Sequence, residues 1–491
     1  MHRDHYNGLA LNLAVRSVFA LSAAVLLWAA FFPGLGGLVF PALFLGFLAL
    51  QEVGPKRGFV LGLLWGMAFF ALEFSSLHSL SPFIGSMAYG VIALLALYGG
   101  LFFAAFGTLV GWRSTLGTLA GGWALVELAR ATGPLGFTFG SVPAALAGTP
   151  FAAAAGIAGP WLLSLGVAFT AASLVYALRR PKFLALALLG PLLLWGLGRT
   201  VPEPKPAGHA RLALVQPNIS QADRLDRTKL PEILARYERL LAQAPNDVDL
   251  VVIPENATPA FLRIERQYLE PFARAAREKG VPVLVGTADL QGSEVRNTML
   301  LLTPEGRESV VYAKIHLVPF GEYVPGRALF DRIGLGTLID QFLPYDQSPG
   351  ERLEPVGIYG VVICFESVFP RPARVLARKG AEVILVSTND AWFGRTRILW
   401  EHYAMGSLRA AETRRVCVQV GQTGITGAWG PNGEELVRFP LEEGVFVLAV
   451  PRYSGRTPYA VMGELPVLGV VLGLVLWGLT MGGPRPRAPT P

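Results

Sequence analysis

The sequence predicts a bundle of eight membrane-spanning helices joined to a separate α/β domain. The chain of 491 residues is 52% hydrophobic and only 16% charged, whereas about a quarter of a typical soluble protein is charged. Acidic residues are nearly absent between positions 8 and 198 and are concentrated between 203 and 457. The predicted parts are a membrane domain at 1–200, a globular domain at 203–457, a membrane helix at 461–482 and a tail at 483–491.

Eight apolar segments account for the membrane part, and most of them could cross about 30 Å of hydrocarbon as helices. They cover residues 10–31, 36–51, 58–80, 86–111, 115–131, 150–178, 183–198 and 461–481. The first segment ends in no convincing small-residue cleavage site and is followed at once by further apolar segments. It therefore predicts a retained helix and not a cleaved signal peptide.

Basic residues in the short loops predict the orientation, because lysine and arginine are retained on the cytoplasmic side of a membrane. If every segment spans, all these residues fall on one side, and the opposite loops 33–37 and 79–86 carry no charge. The basic residues are Arg3, Lys56, Arg57, Arg113, Arg179, Arg180, Lys182, Arg485 and Arg487. A multi-pass protein follows, with both termini in the cytoplasm and the domain at 203–457 outside.

Three ionisable residues within the apolar segments are candidates for function, because such groups are costly in lipid. They are Glu73, near the outer end of the third segment, and Glu127 with Arg130, near the end of the fifth. Glu127 and Arg130 are one helical turn apart, so the alternative is an ion pair that only neutralises itself.

Composition also excludes several classes of protein. The net charge is +7, but the lysines and arginines are scattered and no basic run is interleaved with aromatic residues, so we expect no nucleic-acid partner. Two cysteines form no disulfide framework and no metal-ligand cluster, and the six histidines show no ligand spacing. The sequence therefore predicts no metal.

Short apolar runs alternate with amphipathic segments in the globular domain. The predicted strands lie at 211–216, 249–254, 281–286, 297–303, 308–314, 359–364, 381–387 and 416–420, and the helices at 230–241, 266–279, 371–379 and 398–415. Near-continuous apolar strands that alternate with helices predict a sheet covered by helices on one or both faces.

Three reactive side chains follow three of these strands: Glu255, Lys314 and Cys364. Reactive groups at several strand ends are typical of an active site. Cys364 also faces a helix predicted to begin near Pro370, where backbone N–H groups and the helix dipole would favour a thiolate. The alternative is a cysteine that only fills the core, which is how we interpret Cys417.

The order of these residues resembles the nitrilase superfamily of carbon–nitrogen hydrolases, in which Glu, Lys and Cys occur in this order and a glutamate follows two positions after the cysteine. The segment from Lys314 to Pro325 is similar to one carried by the apolipoprotein N-acyltransferase family. Further similarity lies in Gln216–Gln221, Cys364–Glu366 and Ser387–Gly394. It covers the whole chain, because that family places a nitrilase-like domain after seven membrane spans and before an eighth.

Two positions depart from the family pattern. Leu225 stands where a tryptophan is common, and the loop from Gly136 to Gly140, with Phe139 in it, lacks the proline and tryptophan of the corresponding motif. Both differences concern lipid docking and leave the catalytic residues intact.

The resemblance implies an α-β-β-α sandwich for the domain and a family activity. A fatty acyl chain would pass from a phospholipid, through a cysteine thioester, to the α-amino group of the N-terminal diacylglyceryl-cysteine of an apolipoprotein. It also implies a monomer in the bacterial cytoplasmic (inner) membrane with its catalytic domain on the periplasmic side, and no cofactor.

The roles of individual residues follow from the same resemblance and from elementary chemistry. Cys364 would be the nucleophile and Glu255 the base that takes its proton. Lys314 would stabilise the oxyanion. Glu322 and Glu366 would orient Lys314 and Glu255 by hydrogen bonds, or else be plain surface carboxylates.

Substrate-binding candidates are Asn389, Trp392 and Phe393, which follow another strand end and could also be ordinary loop residues. The connection 329–343 is unusually apolar and predicts a lid, with Leu338 and Phe342 contacting lipid and Gly334 and Gly336 as hinges. Its other apolar residues are Leu329, Phe330, Ile333, Leu335, Ile339 and Leu343. The alternative is a helix that is permanently packed on the domain.

Two other functions remain open from the residues alone. A membrane-tethered nitrilase-type amidase would give the acyl group to water. A non-catalytic lipid-binding module would retain the domain without its reaction, although the intact Glu, Lys and Cys set argues against that.

Overall fold

The computed structural model describes residues 11–334, 336–341 and 343–481. Leu335, Phe342, the side chain of Leu338, the tail at 483–491 and the terminal arginines Arg3, Arg485 and Arg487 lie outside the described residues. The chain divides into two compact units, one formed by the residues up to Val201 together with those from Met462 onward, the other by Pro202–Val461.

The first unit consists of helices joined by short turns. The longer α-helices are Leu13–Ala29, Val39–Leu50, Pro55–Glu73, Met87–Trp112, Leu116–Arg130, Trp161–Ala177, Phe183–Thr200 and Leu465–Thr480. Shorter helical pieces are Gly36–Leu38, Phe74–Leu80, Ser81–Ile84, Val142–Ala145, Ala152–Ala154 and Ala155–Ala158. These bounds follow the apolar segments of the sequence.

Within the described residues, three helical stretches are long and apolar enough to cross a membrane: Pro55–Ile84, Met87–Trp112 and Phe183–Thr200. The predicted segment 150–178 is not one continuous helix, because Ala152–Ala158 and Trp161–Ala177 meet at 114°. Gly159, with a φ of +84°, and Pro160 separate them. Proline lacks the N–H needed to continue a helix, which explains the break.

Glycines allow the helices Pro55–Glu73 and Met87–Trp112 to approach closely. A Cβ atom on Gly58 would lie 2.1 Å from the carbonyl oxygen of Gly107, and one on Gly107 would lie 2.0 Å from that of Gly58. One turn further along, a Cβ on Gly62 would lie 2.2 Å from the carbonyl oxygen of Phe103. Small residues at such crossings let the two backbones come into contact.

The buried residues Glu127 and Arg130 do more than neutralise each other. Their charged atoms are 3.9 Å apart. Arg130 Nη1 donates to the carbonyl oxygen of Phe139 at 2.5 Å, and Glu127 Oε1 accepts from the backbone N–H of Val142 at 2.8 Å. Because these partners lie in the segment after the helix, the pair holds that loop in place.

Two β-sheets form the centre of the second unit. Its strands are β1 Lys205–Gln216, β2 Leu250–Ile253, β3 Val283–Gln291, β4 Glu294–Leu302, β5 Glu308–Ala313, β6 Tyr359–Ile363, β7 Val383–Thr388, β8 Val416–Gly421, β9 Gly427–Trp429, β10 Glu435–Arg438 and β11 Gly444–Ser454. One sheet has the order β11-β1-β2-β3-β4-β5 and the other β10-β9-β8-β7-β6. The eight predicted strands are present, and β9, β10 and β11 were not predicted.

Helices cover the outer face of each sheet. They are Leu230–Gln243 and Arg266–Lys279 on the first sheet, and Pro370–Arg378 and Arg397–Thr413 on the second. Alternation along the strands explains the layers: Leu212 and Leu214 of β1 face the other sheet, whereas Ala213 and Val215 face the helices. The order of layers is therefore helix, sheet, sheet, helix.

Candidate active site

Strand ends bring the predicted reactive residues together. Glu255 follows β2, Lys314 directly follows β5, Cys364 directly follows β6, and Asn389 directly follows β7. Glu255 and Lys314 are buried, and Cys364 is partly accessible.

Lys314 lies between two carboxylates. Its Nζ is 2.9 Å from Glu322 Oε1 and 3.3 Å from Glu255 Oε1. Burial alone lowers the pKa of Lys314, but the charges of Glu255 and Glu322 raise it by more, so its pKa lies above the ordinary value. Lys314 is therefore a fixed cation, and Glu322 accepts the shorter of its two hydrogen bonds.

Asn297, which the sequence analysis missed, bridges the same two carboxylates. Its Nδ2 donates to Glu255 Oε1 at 2.6 Å and to Glu322 Oε1 at 3.2 Å. The available signal was a buried amide two residues before the apolar run Met299–Leu302 of β4. Asn389 acts on the other oxygen of Glu255, because its backbone N–H donates to Oε2 at 2.8 Å. Both Glu255 oxygens are thus oriented.

Cys364 has a left-handed backbone conformation with a φ of +49°, a region that a residue with a side chain rarely adopts. Burial and then the charge of Glu255 raise the pKa of the Cys364 thiol well above its ordinary value, against the smaller opposing effect of Lys314. The expectation of a thiolate stabilised by a helix N-terminus is wrong. The α-helix begins at Pro370, as predicted, but a short 3-10 helix, Cys364–Val368, separates the cysteine from its N-terminus.

Glu366 does not contact Lys314 or Glu255, so its predicted role needs correction. Its carboxylate accepts from the backbone N–H groups of Ile315 at 2.7 Å, His316 at 3.0 Å and Ile363 at 2.8 Å. The Tyr312 hydroxyl donates to it at 2.8 Å. Glu366 therefore ties the chain just after Lys314 to the residue just before Cys364, and positions both through the backbone.

His402 is a second residue that the sequence analysis did not identify. It is buried on the helix Arg397–Thr413, with its Nδ1 2.9 Å from Asp390 Oδ1 and its Nε2 3.1 Å from the carbonyl oxygen of Cys364. Ser367 Oγ is 3.0 Å from the same Nε2. Burial lowers the pKa of His402, but Asp390 raises it overall. A proton on Nε2 can be donated to the strained cysteine peptide.

One group of metal-ligating side chains lies at this point. Ligand atoms of Cys364, Asp390 and His402 all lie within 4.8 Å of one another. The three residue types can bind zinc. An ion held there would occupy the sulfur of Cys364, which the sequence predicts to be the nucleophile.

The predicted substrate-binding residues divide into two groups. Asn389 is buried in the site, and its side-chain Nδ2 donates to Gln221 Oε1 at 3.1 Å. Trp392 and Phe393 are half-buried in the turn Asp390–Phe393, and the Phe393 ring centre is 6.5 Å from that of His402. Phe393 therefore lies near this histidine, and Trp392 precedes it in the same turn.

The connection 329–343 contains two short helices, Arg327–Arg332 and Gly336–Asp340. Leu329 is 61% exposed and Ile333 59% exposed, so a helix permanently packed on the domain does not account for them. Arg327, at the start of the first helix, donates hydrogen bonds to Asp340, Asp346 and the carbonyl oxygen of Leu343. These bonds join the beginning of the segment to its end.

Two family models match the chain. The model described as carbon–nitrogen hydrolase matches residues 211–458. The model described as apolipoprotein N-acyltransferase N-terminal domain matches residues 23–173. The first match contains Glu255, Lys314 and Cys364, and the second lies in the helical unit.

Relatives match almost the whole chain. An apolipoprotein N-acyltransferase of Azotobacter vinelandii is 31% identical and covers 97% of each chain. One of Geobacter metallireducens is 31% identical and covers 90% of each chain. One of Haemophilus influenzae is 28% identical, over 89% of this chain and 90% of the relative.

The charges around Cys364 predict how its thiolate titrates. The ultraviolet absorbance of the thiolate, with Cys364→Ala as the blank, should appear only at a pH above that of an ordinary cysteine. Glu255→Gln should lower this pKa, because it removes a negative charge, and Lys314→Met should raise it further. A thiolate that is already present at neutral pH in the unchanged protein would contradict this account.

Proposed function

The chain belongs to the apolipoprotein N-acyltransferase family, and we propose from this membership and the site geometry that Cys364 carries the acyl group during transfer. The acyl chain comes from a phospholipid ester, and the acceptor is the α-amino group of the N-terminal diacylglyceryl-cysteine of an apolipoprotein. The observation that carries the proposal is Lys314 held between Glu255 and Glu322, beside the cysteine peptide.

The first half-reaction acylates Cys364. Glu255 takes the thiol proton while the sulfur attacks the ester carbonyl carbon, and the carbonyl oxygen becomes an oxyanion near the Lys314 cation. When this adduct collapses, the carbon–oxygen bond of the ester breaks and Glu255 returns the proton to the leaving alcohol. The products are a lysophospholipid and a Cys364 thioester.

The second half-reaction reverses these roles. The acceptor amine attacks the thioester carbonyl, Glu255 takes a proton from the nitrogen, and the carbon–sulfur bond breaks. The proton then returns to the sulfur, which restores the thiol and leaves an amide. An amidase-type reaction would use water in place of the amine, but the family relatives argue for the amine.

Glu322 explains how Lys314 keeps its charge through both steps. When Glu255 accepts a proton, it no longer compensates the Lys314 cation. The Glu322 carboxylate remains 2.9 Å from Lys314 Nζ, and it accepts a second bond from the backbone N–H of Val318 at 2.8 Å. The site therefore retains one ion pair while the proton moves.

The membrane arrangement is proposed from the sequence. We propose eight spans, in which the helices shorter than a full bilayer crossing count with the three long ones. The basic loops then place both termini in the cytoplasm and the domain at 203–457 on the periplasmic side of the bacterial inner membrane. The protein acts as a monomer in this proposal.

The segment 329–343 is proposed as a lid over the acyl chain. Exposed apolar side chains are costly to leave in water unless they bind something, and Leu329, Ile333, Phe320 and Tyr345 are each at least half exposed. Leu338 and Phe342 belong to the same proposed contact surface. Trp392 and Phe393 would line the pocket beneath it.

Substitution of the catalytic residues should block the acyl-enzyme, which mass spectrometry of the purified protein after incubation with phospholipid would detect. Cys364→Ala should give no adduct, and Glu255→Gln should fail because an amide does not accept the proton. Lys314→Ala should slow adduct formation by about 10²–10³. Cys417→Ala is the matched control, because Cys417 lies in the core against the outer helices. Near-normal rates in any of the first three variants would rule out the assigned role.

Labelling with a membrane-impermeant maleimide should reveal the orientation. In a Cys364→Ala background, Glu351→Cys should react from the periplasmic side and Arg180→Cys from the cytoplasmic side, since both positions are exposed and lie in opposite predicted compartments. Intact cells and inverted membrane vesicles provide the two directions of access. Reaction of Glu351→Cys from the cytoplasmic side would refute the proposed topology.

The lid proposal predicts a difference between donors. Leu329→Ser with Ile333→Ser should lower the rate of acyl-enzyme formation from a long-chain phospholipid by at least about tenfold, because burying one such side chain against the acyl chain contributes about 1.5–3 kcal/mol. The rate with a short soluble thioester donor should change little. Leu436→Ser, which alters a 45% exposed leucine on β10, is the control. Equal losses with both donors would remove the lid from the mechanism.

A further inference from the structure

Arg224 is a buried arginine with few partners. It lies on the short helix Gln221–Leu225 and is only 9% exposed. Its Nε donates to Gln221 Oε1 at 3.2 Å, and within the described residues no carboxylate forms an ion pair with it. Burial lowers the pKa of Arg224, with only partial compensation from the more distant charge of Glu255. A buried cation with so little compensation is costly.

Other buried arginines of the same domain have more hydrogen-bond acceptors. Arg397 pairs with Glu401 at 2.9 Å, and Arg409 pairs with Glu412 at 2.6 Å. Arg415 donates to the carbonyl oxygens of Ala381, Thr413, Arg414 and Gly455. The difference shows that burial of an arginine in this fold normally comes with acceptors.

A second donor without a partner lies beside Arg224. Gln221 is 4% exposed, and its Nε2 is buried with no hydrogen-bond acceptor among the described residues. Its Oε1 is already used, because it accepts from both Arg224 Nε and Asn389 Nδ2. The Arg224 guanidinium, which among the described residues bonds only through Nε, and the Gln221 amide nitrogen together form a cluster of N–H donors.

This donor cluster is one residue away from the catalytic base. Asn389 joins the two, since its side chain donates to Gln221 and its backbone N–H donates to Glu255 Oε2 at 2.8 Å. The donor cluster is therefore connected to Glu255 through a single residue.

We propose that Arg224 and Gln221 bind the phosphate group of the acyl donor. A phosphate diester carries one negative charge and several acceptor oxygens, and a guanidinium is well suited to bind it. The inference rests on the proposed function, because the ester that donates the acyl group and the phosphate are attached to the same glycerol. The diacylglyceryl group of the acceptor has no phosphate, so the subsite serves the first half-reaction.

The test compares two donors in full-length protein in detergent micelles. With phosphatidylglycerol as donor, Arg224→Gln should lower kcat/KM for Cys364 thioester formation by about 10- to 100-fold, the value of a charge-assisted hydrogen bond. With a phosphate-free short thioester donor, the rate should stay within about twofold. Arg224→Lys should recover part of the lost kcat/KM, because lysine restores the positive charge but not the planar set of N–H donors of a guanidinium. Arg307→Gln, at an 80% exposed arginine, is the matched control.

Other outcomes would overturn the subsite. Equal losses with both donors would mean that Arg224 only supports the fold or Glu255, and unchanged kinetics with phosphatidylglycerol would mean that it binds no donor phosphate. If inorganic phosphate raised the melting temperature of the unchanged protein, and Arg224→Gln removed that shift without altering phosphatidylglycerol kinetics, the ligand would be free phosphate. Failure of the unchanged protein to form a thioester from any phospholipid, phosphatidylglycerol included, would instead refute the proposed function.

Discussion

The rest of the site depends on one interaction, the pairing of the buried Lys314 cation with the carboxylates of Glu255 and Glu322. With the thiol protonated, the four groups carry one positive and two negative charges. Transfer of the thiol proton to Glu255 leaves that total unchanged and moves one negative charge from the carboxylate to the sulfur. In a buried site a change of net charge would be costly, whereas this shift avoids it. The fold therefore has to bring the ends of β2, β5 and β6 to one place, and the packing of two sheets against each other does so.

The raised pKa of the Cys364 thiol fits this arrangement. A resting thiol needs a base, and Asn297 and the backbone of Asn389 hold Glu255 in place for this proposed role. Two hydrogen bonds hold Cys364 in its left-handed backbone conformation. His402 lies within hydrogen-bond distance of the Cys364 carbonyl oxygen, and Glu366 accepts from the backbone N–H of the preceding residue, Ile363. The strained conformation is therefore stabilised by neighbours that do not themselves react.

The sequence predicted what local patterns can show. Apolar periodicity located eight of the strands, although β1 begins six residues before the predicted start and β3 ends five residues after the predicted end. Strand ends indicated Glu255, Lys314 and Cys364. It did not reveal Asn297 or His402, because their importance depends on contacts across the sheet and from another helix. It assigned Glu366 the wrong partners, since the groups it binds are mostly backbone N–H groups, which any sequence supplies. Strand β11 pairs with β1, although Ser454 of β11 and Lys205 of β1 are 249 residues apart in the sequence. A local sequence pattern cannot reveal a pairing between residues so far apart.

A donor subsite at Arg224 also bears on the order of events. The lysophospholipid formed in the first half-reaction keeps its phosphate, so it can still bind at Arg224 after its acyl group has moved to Cys364. Strong binding there would retain this product and block the acceptor. The proposed phosphate site has only two hydrogen-bonding side chains, Arg224 and Gln221, and only one of them is charged. It therefore holds a phosphate less tightly than several arginines would. Moderate affinity at this point therefore serves both capture of the donor and release of the lysophospholipid before the amine arrives.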